Sequence, residues 1–299
     1  MGVLDEIQEA IRHVAERAGK AVVGVGQRWG VGSGVVIGAG SVLTNAHNVR
    51  NEQVAVTFDD GRTADGLVRG LDVDGDLAVI EVDTADTPAV DWTAAAAPGI
   101  GTPVFALANP GGRGLRVTLG FVTGVERSFR GPRGRLITGT LEHDAPLLPG
   151  SSGGPITTVD GRLLGVNTNR LGEGFYLAIP ADENLRGRVD GLTRGESATQ
   201  PRLGIAVAPA QVARRLRRAV GLPDTDGLLI RDVEKDSPAA HAGLAHGDLI
   251  VAAGGRTIQS VDDLFEQLDA TAGETLELMI SRGADERTVT VTLGKRANR

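Results

Sequence analysis

Between Ala21 and about Val90 the chain runs through AVVGVG, GVVIG, SVLTNA, QVAVTF and LAVIEV, separated by Gly, Asp and Asn turn signals. Apolar runs of this length fall short of the roughly ten residues a helix needs, and their Val and Ile side chains favour extended backbone. A chain so punctuated can bury apolar surface only by laying short strands side by side across tight turns, which predicts an antiparallel sheet or barrel. Beyond AAAAPGIGTP a second series follows: PVFALAN, LRVTLGFVTGV, RLITGTLE, GPITTVDGRLLGVNT and GFYLAIP. Two β units of similar size are therefore expected in succession. With 43 glycines and only 3% Phe, Trp and Tyr, their cores must be filled mainly by Val, Leu, Ile and Ala.

The 299 residues exceed what one typical domain needs. PADENLRGRVDGLTRGESATQPR turns polar, predicting a helix end and then a linker near Gly195 to Gln200. From Leu203 a different pattern begins: a strand (LGIAVA), a helix (QVARRLRRAVG), strands (GLLIRDV, DLIVAAGG), a helix (SVDDLFEQLDA) and two closing strands (TLELMISRG, RTVTVTLG). At the other end, Val3, Leu4, Ile7, Ile11 and Val14 recur at helical spacing. The expected organisation is an N-terminal helix over 1–20, a β domain over 21–195 and a small α+β domain over 196–299.

Without cysteine the chain can form no disulfide, no thiolate zinc site and no cysteine nucleophile. Its formal charge of −7 weighs against phosphate neutralisation, so no nucleic-acid partner is expected. The N-terminus lacks the basic start and unbroken apolar run of a signal peptide, and no uncharged apolar run approaches the roughly 20 residues of a membrane span. As given, the chain reads as cytoplasmic, or as extracytoplasmic if a signal or anchor has been removed.

Residues 147 to 156, LLPGSSGGPI, surround two adjacent serines with glycine and proline. A serine hydroxyl becomes a nucleophile only beside an imidazole that takes its proton, itself oriented by a carboxylate. Of five histidines, His13 lies in the N-terminal helix and His241 and His246 in the C-terminal module, which leaves His47 and His143. His47 follows an apolar strand in SVLTNAHNVR, and Asp76 immediately precedes the strand LAVIEV. The order His47, Asp76, Ser152 matches the chymotrypsin arrangement of the triad. Ser152 is the candidate nucleophile because it directly precedes Gly153 and Gly154.

These motifs resemble those of the HtrA/Deg family of serine proteases, a chymotrypsin-like double six-stranded β-barrel followed by a PDZ domain. TNAHNV is similar to the family's TNxHVV, DLAVI to its DIALI and PGSSGGPI to its PGNSGGxL. ANPGG, LAIP and SPAAHAGLAHGDLI likewise resemble GNPxG, FAIP and SPAAxAGLxxGDxI. The resemblance implies His47 as general base, Asp76 as its orienting partner and Ser152 as nucleophile. It also implies an oxyanion hole from the backbone N–H groups of Gly150 and Ser152, with the Ser151 amide completing the turn. In chymotrypsin-like enzymes the floor of the primary specificity pocket lies six residues before the nucleophile, here Pro146, with Leu147 beside it and Tyr176 as another wall. In the C-terminal module the resemblance implies that Leu203, Gly204 and Ile205 hold a peptide carboxylate.

The implied activity is ATP-independent cleavage of unfolded or damaged polypeptide through an acyl-enzyme, with no cofactor or metal and with C-terminal peptides bound by the PDZ domain. The alternative is a chaperone-like holdase or scaffold whose protease site mostly rests. A homotrimer is the assembly the family implies. Ser151, Asn48 and Leu148 depart from the family pattern without removing a catalytic group. His143, next to Asp144, is expected as a satisfied loop histidine, the other reading being a second titratable group in the activation loop. DVDGD, residues 72 to 76, lacks the glycine and final glutamate of a calcium loop, and Arg214, Arg215, Arg217 and Arg218 read as one solvated helix face.

Overall fold

The computed structural model describes residues 2–26, 32–93, 96–196, 201–271 and 275–293. The chain divides into two compact units, Met1–Ala198 and Thr199–Arg299. Most of the expected linker, residues 197–200, lies outside the described residues.

The Val-rich runs form the strands of a first closed barrel: β1 (Val22–Val25), β2 (Gly32–Gly38), β3 (Ser41–Thr44), β4 (Gln53–Thr57), β5 (Thr63–Asp72) and β6 (Leu77–Glu81), in the order β1-β2-β3-β6-β5-β4. Its interior is closed by Val23, Val25, Val35, Leu43, Val56, Leu77 and Ile80, all fully or nearly fully buried. The second series closes another barrel from β7 (Pro103–Ala108), β8 (Arg116–Arg130), β9 (Leu136–His143), β10 (Pro155–Thr157), β11 (Leu163–Arg170) and β12 (Tyr176–Pro180), in the order β10-β11-β12-β9-β8-β7. Closure leaves neither barrel an exposed sheet edge.

Strand register decides which turns meet. Thr44 pairs with Ala78 across β3 and β6, so the residues after Thr44 and those before Leu77 emerge at the same barrel end. In the second barrel Pro155 pairs with Val166, which sets the loop before β10 beside the residues following Val166.

Helix α1 (Val3–Ala18) fulfils the N-terminal periodicity and buries Val14 and Ala18 against Phe105 and Leu107 of β7. Helix α2 (Glu183–Thr193) starts at Asp182, whose side chain accepts the Leu185 N–H at 2.8 Å, and buries Leu185, Val189 and Leu192 in the first barrel's core. It thus returns the chain from the second barrel to the first.

The C-terminal unit holds β13 (Ile205–Ala208), α3 (Ala210–Ala219), β14 (Leu228–Val233), a short α4 (Pro238–His241), β15 (Leu249–Ala253), β16 (Arg256–Thr257), α5 (Val261–Ala270), β17 (Thr275–Arg282) and β18 (Asp285–Thr292). Its sheet runs β13-β14-β15-β17-β18, with β16 paired to β15. One expectation fails here. Arg217 does not share a solvated face with its neighbours but is 3% exposed, because four residues after the fully buried Ala213 it falls on the inward stripe of α3. Its guanidinium donates to the carbonyls of Pro223 (3.1 Å) and Gly283 (3.2 Å). Arg214 and Arg218 instead pair with Asp226 and Asp224.

Candidate active site

His47 sits in a single turn of 3₁₀ helix, Ala46–Asn48, directly after β3. Buried Ala46 anchors the turn, and the next side chain, His47, stays 38% exposed at the barrel end. Asp76 approaches from the β5–β6 turn and is 1% exposed. Its Oδ1 accepts the His47 backbone N–H at 3.1 Å, and both carboxylate oxygens lie 2.9 Å from His47 Nδ1. Asp76 Oδ2 also accepts the Thr168 hydroxyl at 2.6 Å, a length typical of a charge-assisted bond. Three donors thus hold the buried carboxylate. They fix the imidazole with Nδ1 towards Asp76 and Nε2 towards the cleft.

Ser152 lies in the glycine-rich loop before β10. Gly153, at φ +88°, is required there: a Cβ would fall 2.1 Å from the Ser33 carbonyl oxygen. The Ser152 carbonyl accepts the Ser33 N–H at 2.8 Å and the Asn48 side-chain amide at 2.9 Å. Ser33 Oγ donates to the Gly150 carbonyl at 2.9 Å and accepts the Asn109 N–H at 3.0 Å. With these carbonyls tied back, the N–H groups of Gly150 and Ser152 donate to no other group among the described residues. The Ser151 amide is committed to the Leu148 carbonyl at 3.1 Å, which closes the turn. The Ser152 hydroxyl donates to the carbonyl of Thr168 at 2.9 Å rather than to His47.

A cavity of about 260 Å³ opens beside Ser152, lined among others by Leu147, Gly150, Thr168, Arg170 and Tyr176. The Tyr176 hydroxyl donates to the Leu147 carbonyl at 3.1 Å, joining the two walls. Pro146, expected at the floor, instead lines a neighbouring depression with Arg116 and Thr118. Ala145 before it is fully buried, whereas Pro146 itself is exposed. His143 also departs from expectation. It is the last residue of β9, fully buried, with Nε2 bonded to Asn167 Oδ1 at 2.8 Å and Nδ1 unpartnered. Burial holds its pKa below the ordinary histidine value, against the opposing pull of the Asn167 bond and Asp144.

Sequence reasoning missed Thr168 and Ser33 and took Asn48 only as a departure from pattern. The available signals were faint: a serine between two glycines opening a Val-rich strand, and a polar NTN at the end of another.

In the C-terminal unit, the Leu203 carbonyl accepts from Ala239 N at 3.0 Å and the Gly204 carbonyl from Glu234 N at 2.9 Å. Gly204 lies at φ +77°, and a Cβ there would meet Ser237 Cβ at 2.4 Å. Among the described strands, β13 pairs only with β14, so its other edge is open. Ile205 and Val207 are half-buried against the core, as are Val261 and Phe265 of α5.

The family described as Trypsin-like peptidase domain matches residues 32–166, and that described as PDZ domain matches residues 201–293. The chain is 32% identical over 276 residues to a probable periplasmic serine endoprotease, DegP-like, of Halomonas elongata, covering 90% of this chain and 57% of that protein. It is 34% identical over 289 residues to the putative serine protease HhoA of Synechocystis, covering 90% and 72%. A crystal structure of the serine endoprotease from Yersinia pestis superposes with a TM-score of 0.65 at 28% identity, over 96% of this chain and 98% of that one. The chain spans less than two thirds of the length of the Halomonas relative.

Proposed function

The chain belongs to the HtrA family of serine proteases, with a trypsin-like peptidase domain followed by a PDZ domain, and from that premise we propose that it is an ATP-independent endopeptidase of unfolded or damaged polypeptide. The observation that carries this reading is the Asp76 carboxylate bonded to both His47 and Thr168, opposite a serine whose own N–H, like that of Gly150, is uncommitted among the described residues.

In the proposed reaction, Ser152 Oγ turns about χ1 from the Thr168 carbonyl and gives its proton to His47 Nε2 as it bonds to the scissile carbonyl carbon. The carbonyl oxygen takes up the electron pair and receives the N–H groups of Gly150 and Ser152, each such donor being worth about 3 kcal/mol in the transition state. Asp76 holds Nδ1–H and stabilises the imidazolium. His47 then protonates the departing amine, and water, deprotonated by the same imidazole, releases the acyl group. Peptide C-termini bind along β13, with the carboxylate on the N–H groups of Leu203, Gly204 and Ile205. The carbonyls of Leu203 and Gly204 are turned to Ala239 and Glu234, which aims the N–H groups of Gly204 and Ile205, in the same peptide planes, the other way. The peptidase unit assembles as a homotrimer in this reading, measurable by sedimentation.

Unfolded casein incubated with the wild type should yield fragments by mass spectrometry, Ser152→Ala none, and Ser151→Ala should remain active. A wild type that prevents aggregation of the casein yet cuts nothing, with or without added peptide, would replace this reading with the holdase. Peptide ending in a free carboxylate should bind the full chain at least tenfold tighter than its amide; equal binding would remove the carboxylate loop.

A further inference from the structure

The turn from Asp72 to Asp76 crowds three carboxylates into five residues and ends on Asp76 at φ +54°, a left-handed conformation that aspartate visits more readily than most residues but only glycine adopts without cost. Such a conformation persists only where neighbours enforce it. We infer that Arg188 of α2 is a positioning residue of the protease: its guanidinium clamps both ends of this turn and thereby holds the Asp76 carboxylate against His47.

Arg188 Nη2 and Nε lie 2.6 and 3.2 Å from Asp72 Oδ2, and Nη2 also donates to the Gly75 carbonyl at 3.2 Å. That carbonyl belongs to the peptide bond leading into Asp76. Asp72, 3% exposed, uses its other oxygen to accept the Gly75 N–H at 2.8 Å, so carboxylate, guanidinium and turn backbone form one closed network. The chain makes room for it. A Cβ on Gly75 would fall 1.6 Å from Arg188 Nη2, although the Gly75 backbone is not in the left-handed region. Asp74 faces Arg133 at 3.8 Å and Arg135 at 3.7 Å, from the β8–β9 connection. Arginine is needed for the clamp, because lysine carries a single compact charge and cannot span side chain and carbonyl in one plane. Arg188 is not among the residues lining the cavity beside Ser152. Its effect on catalysis must therefore pass through Asp76, touching turnover and not substrate binding.

This inference rests on the proteolytic reading, and the experiment separates the two. In the full chain, casein-derived peptide hydrolysis by wild type and Ser152→Ala tests that reading; Arg188→Met, Arg188→Lys and Gly75→Ala, checked for folding by circular dichroism, test the clamp. Displacing a catalytic group by about 1 Å can lower rates roughly a hundredfold. Arg188→Met should lower kcat at least about tenfold with KM within about twofold, and Arg188→Lys should fall between it and wild type. The downfield proton signal of His47 Nδ1–H should weaken in the Met variant. Gly75→Ala, which displaces the guanidinium without removing a charge, should lower kcat similarly, and the Gly75→Ala/Arg188→Met pair should be no worse than the worse single change. A folded Arg188→Met or Arg188→Lys with kcat and the His47 signal unchanged would overturn the clamp while the wild type still cleaved. So would independent, multiplying losses in the double variant.

Discussion

Replacing Thr168 by valine deletes one hydroxyl and keeps the side chain's shape, so it isolates the third hydrogen bond to Asp76. That bond is 2.6 Å long between residues 5% and 1% exposed, and solvent offers neither group a substitute. Hydrogen bonds to charged groups contribute about 1.5 to 3 kcal/mol, and no cavity is created to add to this. The bond already exists in the free enzyme, so its loss is expected in folding stability; turnover falls in addition to the extent that Asp76 is no longer held for the transition state, and a differential of that same size equals about 10- to 150-fold in kcat. The two remaining bonds both come from His47, so the carboxylate loses its only anchor in the second barrel. Asp76 is therefore expected to be misoriented towards His47, which lowers turnover as well as stability. Peptide hydrolysis should show kcat down at least about tenfold with KM within about twofold, and urea unfolding at neutral pH should show a separate stability loss of about 1.5 to 3 kcal/mol. Thr168→Ser, which keeps the hydroxyl, should stay close to wild type. A folded Thr168→Val with wild-type kcat would refute the claim that Asp76 depends on the second barrel for its orientation.

Tyr176→Gly removes the ring bonded to the Leu147 carbonyl and should open the cavity beside Ser152, shifting cleavage from small and medium aliphatic residues towards larger ones. The shift should be on the order of tenfold, since each methylene in an apolar pocket is worth about 1 to 3 kcal/mol. Fragment mapping that finds the same cut sites in both proteins, or cuts mainly after Lys or Arg, would contradict it. His143, whose folded pKa is depressed by burial, gives a stability effect of definite sign. Above its unfolded value, about 6.5, the residue is neutral in both states and nothing is lost. As the pH falls from there towards the depressed folded value, the unfolded chain takes up a proton that the folded one refuses, and stability declines. Unfolding midpoints measured down to pH 5 should fall more steeply for wild type than for His143→Leu; parallel curves would show the residue already charged in the fold.

The barrels and the three triad candidates were legible because each is written locally. Short Val-rich runs between turn residues specify strands whatever lies elsewhere, and a serine before two glycines or a histidine after an apolar strand needs only its own neighbours to be noticed. What supports those residues is not local. Thr168 meets Asp76 from 92 positions away, Arg188 meets Asp72 from 116 and Ser33 meets Gly150 from 117. No periodicity links such pairs; Arg188 meets Asp72 because α2 packs back on the first barrel, and the other two pairs join residues of one barrel to residues of the other. The same holds for the misplaced residues. Pro146 left the pocket, Arg217 went inward and His143 was buried with one nitrogen unpartnered, each on the side its backbone faces once neighbouring elements have packed. Sequence determined which groups could do the chemistry, through residue type and short-range pattern; tertiary structure decided which were held, buried or displaced, because those outcomes depend on contacts that exist only after the barrels close.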